Sequence, residues 1–551
     1  MLGRCIYMKK YSLKIAVLIL SLITVCGCFS GCSKTVKDAE LRLPLSAEPD
    51  TLDPQIAVTR ESRTVVLNCF EGLMKLTATG EIQPAAAKSV SVSPDGLAYS
   101  FSLHEDKKWH INSNHEEIFG EDWETAIDLR VTAADFVFGL QRALDPETKA
   151  PDAKRLYMIK NAEKVHKGEL PVSALGVTAT GEYTVQIQLE YASGEFLSML
   201  TEPISMPCKQ AFFEATGGRH GLAAQYVLCN GSFYLSRWYK GSNMILRRNV
   251  DNPQAQAKVY SVTFAYTTDE AIILENLSDD TYAAAPILYS SIDAIKKEGC
   301  TVNEYKNGVW GLAFNCSDSL TKSNRLRLAL IKALDFDIIR EASGEAEENR
   351  ALSIVPPSCT VEGKTYSSFM PALGTLSYDE SAAKKYYKEC NLKSCEFTVL
   401  CTPEYETAVR RIIQKWQQLF GITFYAKVEV LEKAELDKRV SSGSYQCALT
   451  EITTMAQTAV QFLSTFRDGN NICRYNSKNF NTLISQLNTA TGLQSIADGC
   501  MKAQEYLVQN AVFCPIYYRS GYTATNENAI GIYYTHSGSI IRLDQTEILK
   551  D

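Results

Sequence analysis

The chain is poor in the features that mark an enzyme or a nucleic-acid binder. It has six histidines in 551 residues, and His104, His110 and His115 miss the four-residue spacing of a helical zinc pair. His115-Glu116-Glu117 is not followed by a second histidine. No Gly-x-Ser-x-Gly elbow is present, and Gly363-Lys364-Thr365 has Ser358 where a phosphate loop places its leading glycine. Positive charge is also in deficit, with 56 Lys+Arg against 63 Asp+Glu, a net charge of -7 and a pI of about 5.7. Binding a phosphate backbone needs a concentrated basic surface, so this balance argues against nucleic acid as a partner. Internal repeats and low-complexity linkers are missing too.

Long apolar runs are scarce, and the one at residues 15–25 is too short to span a bilayer comfortably. It follows Met8-Lys9-Lys10 and Lys14, the pattern of a secretion signal, with Met8 an alternative start. Val25-Cys26-Gly27-Cys28 and Phe29-Ser30-Gly31-Cys32 each resemble the lipobox at which a bacterial lipoprotein is cut and acylated. Cys32 is the better candidate because the polar stretch 33–40 follows it as a tether, and Cys28 is the alternative. The expectation is a lipoprotein on the cell membrane, exposed outside the cytoplasm and held by several acyl chains. An uncleaved anchor helix is the other reading.

Seventeen cysteines form no disulfide framework. Cys390, Cys395 and Cys401 cluster, but no second Cys-x-x-Cys or histidine pair completes a zinc site, so they read as packed or locally paired. No metal and no cofactor is expected.

What the sequence does contain is globular: 45% hydrophobic and 22% charged residues, enough for two or three cores. Leu41, Leu43 and Leu45 alternate into the turn Glu48-Pro49-Asp50-Thr51-Leu52-Asp53-Pro54, where each proline fixes φ and each aspartate can close a local bond. Tyr99, Phe101 and Leu103 predict one strand, and Tyr183, Val185, Ile187 and Leu189 another. Residues 110–130 read as an acidic surface loop. Thr132 and Asp135 predict a capped helix start, with Phe136, Leu140 and Leu144 on one face. Asn230-Gly231 predicts a turn with positive φ. Alternation over residues 310–315 predicts a strand, and Leu326, Leu330, Ala333 and Leu334 a helix face. A helix through Ala408, Ile412, Trp416 and Phe420 should stop at Gly421, with Ile422, Phe424 and Ala426 alternating in the next strand. An apolar strand over 511–518 contains Pro515.

The 48–54 turn, Lys108-Trp109, the Val131-Thr132-Ala133-Ala134-Asp135-Phe136-Val137 helix start and Gln141-Arg142-Ala143-Leu144-Asp145-Pro146 together resemble the family 5 extracellular solute-binding proteins. These are the oligopeptide- and dipeptide-binding receptors of ATP-driven importers. The resemblance implies an α/β, periplasmic-binding-protein-like type II fold, two hinged lobes plus an extra α+β domain, three domains in all. Domain I would take 41–66, 205–300 and 506–551, domain II 67–204, and domain III 301–505, after a signal peptide over 1–32. It further implies a monomer without catalytic residues that captures a solute, foremost a peptide, and delivers it to the permease and ATPase subunits of the importer.

In the family a carboxylate of the third domain meets the peptide's α-ammonium. Here Glu451-Ile452-Thr453-Thr454-Met455 occupies that segment, with Met455 at the acid's position and Ile452 at the tryptophan's. Either Glu451 substitutes from another angle or the ligand has no free amine there. Thr59 and Arg60 fall on the loop that reaches the cleft edge, where Arg60 could grip a carboxylate or phosphate. The alternatives to a peptide receptor are the same fold around a metal chelate or glycoside, a signalling or adhesion lipoprotein that has lost transport, and an exported hydrolase.

Overall fold

The computed structural model describes residues 34–550, apart from 36–37, 254–256, 344–348, 370–376, 454–457, 470, 536–537 and 539. Residues 1–33, with Cys28 and Cys32, and Thr454 and Met455 therefore lie outside the described residues.

Strand β1 (Glu40–Leu45) buries Leu41, Leu43 and Leu45 and exposes Glu40 and Arg42. Helix α1 (Arg60–Cys69) follows the proline-flanked turn. Strands β2 (Ala87–Val92) and β3 (Ala98–Leu103), helix α2 (Ala133–Leu144), and strands β4 (Val177–Gly181) and β5 (Thr184–Gln188) come next. Strands β2-β3-β5-β4 form a four-stranded antiparallel sheet. Strands β6 (Phe233–Tyr239), β7 (Asn243–Arg248) and β8 (Ser261–Tyr266) return the chain to β1, which pairs with β8 in parallel at Leu43–Phe264. One apolar core, from Leu41 and Phe101 to Phe264 and Leu543, joins these two sheets into a first lobe.

The second lobe is built on a six-stranded mixed sheet. Its strands are β9 (Ala284–Ile287), β10 (Thr301–Phe314), β11 (Cys395–Cys401), β12 (Phe424–Val430), β13 (Cys447–Thr453) and β14 (Phe513–Thr525), in the order β9-β14-β10-β13-β11-β12. Helices α3 (Asn324–Lys332), α4 (Glu406–Phe420), α5 (Ala459–Ser464) and α6 (Leu493–Gln509) pack on it. A separate core from Val309 to Tyr517 fills this lobe. The lobes are joined through β9, β10 and β14, whose outer halves pair at Thr301–Thr525 beside a small third cluster around Leu277 and Ile287.

Three local expectations change. Residues 309–314 are buried on both faces, as β10 lies inside the sheet between β13 and β14, so no wet face remains. Ile422 is fully exposed in a 3-10 turn over Gly421–Thr423, and the strand begins at Phe424. Neither Asn230 nor Gly231 takes positive φ. Glycine is required at 231 by close approach, since a Cβ there would sit 2.7 Å from the Cys69 carbonyl carbon. The 511–518 strand runs on to Thr525, with Pro515 opposite Gly311 at an irregularity in the ladder. Cys395 and Cys401 are packed free thiols at the two ends of β11, and Cys390 is a half-buried one.

Candidate functional site

The two stretches that carry the family resemblance meet inside the first lobe. Asp53, from the turn, and Arg142, from α2, are both buried, and the guanidinium donates to the two carboxylate oxygens at 3.2 and 2.7 Å. Arg142 also donates to Gln55 Oε1 at 2.6 Å, and Gln55 Nε2 donates to the Met206 carbonyl at 3.0 Å. Burial pushes the Asp53 carboxyl up, but His220 and Arg142 outweigh it and hold the group below the usual carboxylate range. Trp109 likewise donates its indole N–H to Asp135 at 3.0 Å, the residue whose carboxylate also accepts from the Thr132 N–H at 2.9 Å in the capping box of α2. These motifs are scaffold: the charged groups of Asp53, Arg142 and Asp135 are paired inside the lobe.

The same turn sets the start of α1. Asp50 accepts from the hydroxyls of Thr59 (3.0 Å) and Ser62 (2.5 Å), and Thr59 caps the helix by accepting from Ser62 N–H at 3.3 Å. Burial raises Asp50, but the Ser62 and Thr59 hydrogen bonds prevail and its carboxyl sits below its ordinary value. Thr59 is thereby spent on the backbone, and the next residue, Arg60, is placed at the lobe edge. Its guanidinium reaches Ser46 and lies 3.3 Å from Glu61.

Arg60 lines a cavity of 640 Å³ whose other described walls are Ile287, Leu288, Tyr289, Asn307, Thr453 and the run Arg519-Ser520-Gly521-Tyr522. The site is therefore shared by both lobes, with α1 on one side and the ends of β9, β10, β13 and β14 on the other. Thr453 is the last residue of β13, opposite Gly308 of β10, which in turn faces Arg519 of β14. Glu451, two residues earlier on the same strand, is ion-paired with Arg519 and lies 4.0 Å from Lys433. Ile452 points the other way and packs against the lobe core. Tyr289 and Tyr522 meet with ring centroids 5.7 Å apart and give the cavity an aromatic, partly exposed flank.

Of the residues singled out in the sequence, Arg60 and Thr453 are brought to one cavity. Glu451 reaches it only through Arg519, Ile452 lies behind it, and Thr59 caps α1. Arg519, Tyr522 and Tyr289 went unnoticed. The first two sit just past position 518, where apolar alternation stops although the strand continues. Chemically the arrangement is one for holding a polar, partly apolar solute. Among the described residues no group of three or more His, Cys, Asp or Glu could hold a metal ion.

The profile of the bacterial extracellular solute-binding proteins, family 5 Middle, matches residues 81–472. The oligopeptide-binding protein OppA of Bacillus subtilis is 24% identical over 559 residues, covering 97% of this chain and 98% of that protein. The substrate-binding domain of an oligopeptide ABC transporter from Bacillus anthracis superposes with a TM-score of 0.72 at 21% identity, over 94% of this chain and 100% of that one. Haemophilus influenzae OppA in complex with RPPGFSPFR gives 0.70 at 20% identity, over 94% and 100%. With its two α/β lobes joined by crossing strands, and with the match spanning most of its length, this chain belongs to the family 5 bacterial extracellular solute-binding proteins.

Proposed function

We propose that the protein captures a peptide in the interlobe cavity and delivers it to an importer permease driven by cytoplasmic ATP hydrolysis. A lipid on Cys32, or on Cys28, would hold it at the outer face of the membrane. Peptide as the ligand class is supported by the relatives named oligopeptide-binding. Of the proposed division into domains I (41–66, 205–300, 506–551), II (67–204) and III (301–505), the apolar cores support the separation of III from the other two, which share one core, while Leu507 to Tyr517 pack in the core of domain III.

The observation that carries the reading is the charge of the cavity wall. Arg60 and Arg519 line it, and among the described lining residues there is no carboxylate. Glu451, the acid nearest in sequence to the family's ammonium-binding position, is already engaged by Arg519 and Lys433. A closed cleft hides its solute from water, so each buried charge must be matched by the ligand. The end of the peptide lodged here is then its carboxylate: Arg60 and Arg519 are each paired on one side with an acid, Glu61 and Glu451, and keep further N–H groups to donate to it, with Thr453 beside its backbone. The backbone itself would pair with the exposed strand end as an added strand, which leaves side-chain identity nearly free.

Thermal-shift titration with short peptides in free, N-acetylated and C-amidated forms tests this. N-acetylated peptides should raise the midpoint as free ones do, while C-amidation should weaken binding by about tenfold or more, as expected for a lost charged hydrogen bond. If only free-amine peptides bind, Glu451 is the ammonium partner and the polarity is reversed. If no peptide binds in any form, the ligand is not a peptide.

A further inference from the structure

Away from the crossing strands, the lobes touch through a small knob on the first lobe. Residues 193–195 lead into the short helix Phe196–Met199, and this corner is seated in a socket on the second lobe. Gly194 N–H donates to the Ala490 carbonyl at 3.2 Å. A Cβ at Gly194 would lie 2.7 Å from Ile496 Cδ1 and 3.2 Å from the Ala490 carbonyl oxygen, so a larger residue would have to push the Ile496 side chain aside. Glu195 is buried, with 8% of its surface exposed, and accepts a hydrogen bond from the hydroxyl of Thr458, itself buried. Thr458 caps α5, accepting from Gln461 N–H at 3.2 Å, and it ends the 451–457 stretch that starts at the cavity wall.

We propose that this knob is a closure latch in which Glu195 is a positioning residue, holding the two lobes shut over the solute by seating against Thr458. The proposal rests on the reading of the cleft as one that closes around a ligand. It also makes closure sensitive to pH. Burial pushes the Glu195 carboxyl up to about 7, against the Thr458 hydrogen bond and the positive charge of Arg155, while Glu362 adds to the rise. The other groups facing it are the thiols of Cys359 and Cys500, which burial keeps protonated. Arg155 is no free counter-ion, because it is shared with Asp152 and Glu202 at 3.4 Å each.

The sign follows from the raised value. With the lobes apart, Glu195 is hydrated and titrates near the ordinary glutamate value of about 4.3. Closure is thus fully favoured while both forms are protonated, weakens as pH rises above that ordinary value, and has lost its protonation-dependent part once pH passes about 7. The closed-to-open ratio should drop by about a hundredfold across that range. Few other groups confuse the neutral end of the range, since His110, His115, His166 and His220 are all held below their ordinary value by burial.

Small-angle scattering of the ligand-free protein between pH 5 and 8.5, with hydrogen exchange at residues 190–200 and 458–465, tests the latch independently of what the ligand is. The expected result is a radius of gyration that grows with pH in the wild type, stays small at every pH in Glu195→Gln, and stays large at every pH in Thr458→Val. Circular dichroism confirms that each variant is folded. A wild-type radius that is constant with pH, or a Glu195→Gln variant that tracks the wild-type curve, overturns the proposal. The peptide titration above is unaffected by either outcome, so failure of the latch and failure of the peptide reading are distinguishable.

Discussion

At the scale of single residues, the chemistry most visible in the sequence belongs to the scaffold. Asp53 and Arg142 stand at 4% and 7% exposure, and their pairing closes the proline-flanked turn onto α2. Removing one partner leaves a buried charge uncompensated, which costs about 3–5 kcal/mol, whereas removing both can be nearly neutral. Arg142→Met should therefore lower the urea midpoint strongly, and Asp53→Asn combined with Arg142→Met should recover most of the loss. The acid limb offers a second check. Because the folded Asp53 carboxyl lies below its unfolded value, the pair contributes stability above that unfolded value, and the contribution is lost as pH falls through the folded one. Wild-type stability should fall below about pH 4 in a way that Arg142→Met does not reproduce.

At the scale of elements, close backbone approach decides what side-chain patterns do not. Gly311 lies in the middle of β10 opposite Pro515, and a Cβ there would stand 2.0 Å from the Cys514 carbonyl oxygen. Gly311→Ala should force β10 and β14 apart and cost about 1–3 kcal/mol or more by denaturant unfolding. A matched Ala313→Gly change, in the same strand, tests whether the loss is specific to that contact. Most of the elements were legible for the same reason that this one was not. Leu41, Leu43 and Leu45, the Thr132–Asp135 capping box, and the Ala408, Ile412, Trp416 and Phe420 stripe all follow from solvent on one side and core on the other. Where a strand is covered on both faces, as at 309–314, alternation shows the strand but implies a wet face that is not there, and where it leaves the core while still hydrogen-bonded, as at 519–525, hydropathy carries no signal. The cavity was legible only in part because its walls come from such strand ends. Arg60 and Thr453 are joined there by the fold, and Arg519, Tyr522 and Tyr289 are far from them in sequence.

At the scale of the whole molecule, no disulfide joins the thirteen described cysteines, and eleven of them are buried. They divide between the lobes: Cys69, Cys208 and Cys229 lie in the first, and Cys447, Cys473 and Cys514 in the core of the second. Burial also pushes Cys208 and Cys514 up to about 12, so the reactive thiolate is scarce even apart from access. Each lobe thus carries its own set of chemical clocks that run only when that lobe comes apart. Pulse alkylation read by mass spectrometry should label Cys208 and Cys514 at separate rates as urea is raised, and equal rates at every concentration would show that the lobes unfold as one. Under oxidising conditions the same division has a second meaning. Thirteen thiols offer many wrong partners while the chain is open, so the order in which the two lobes seal decides which of them ever meet an oxidant.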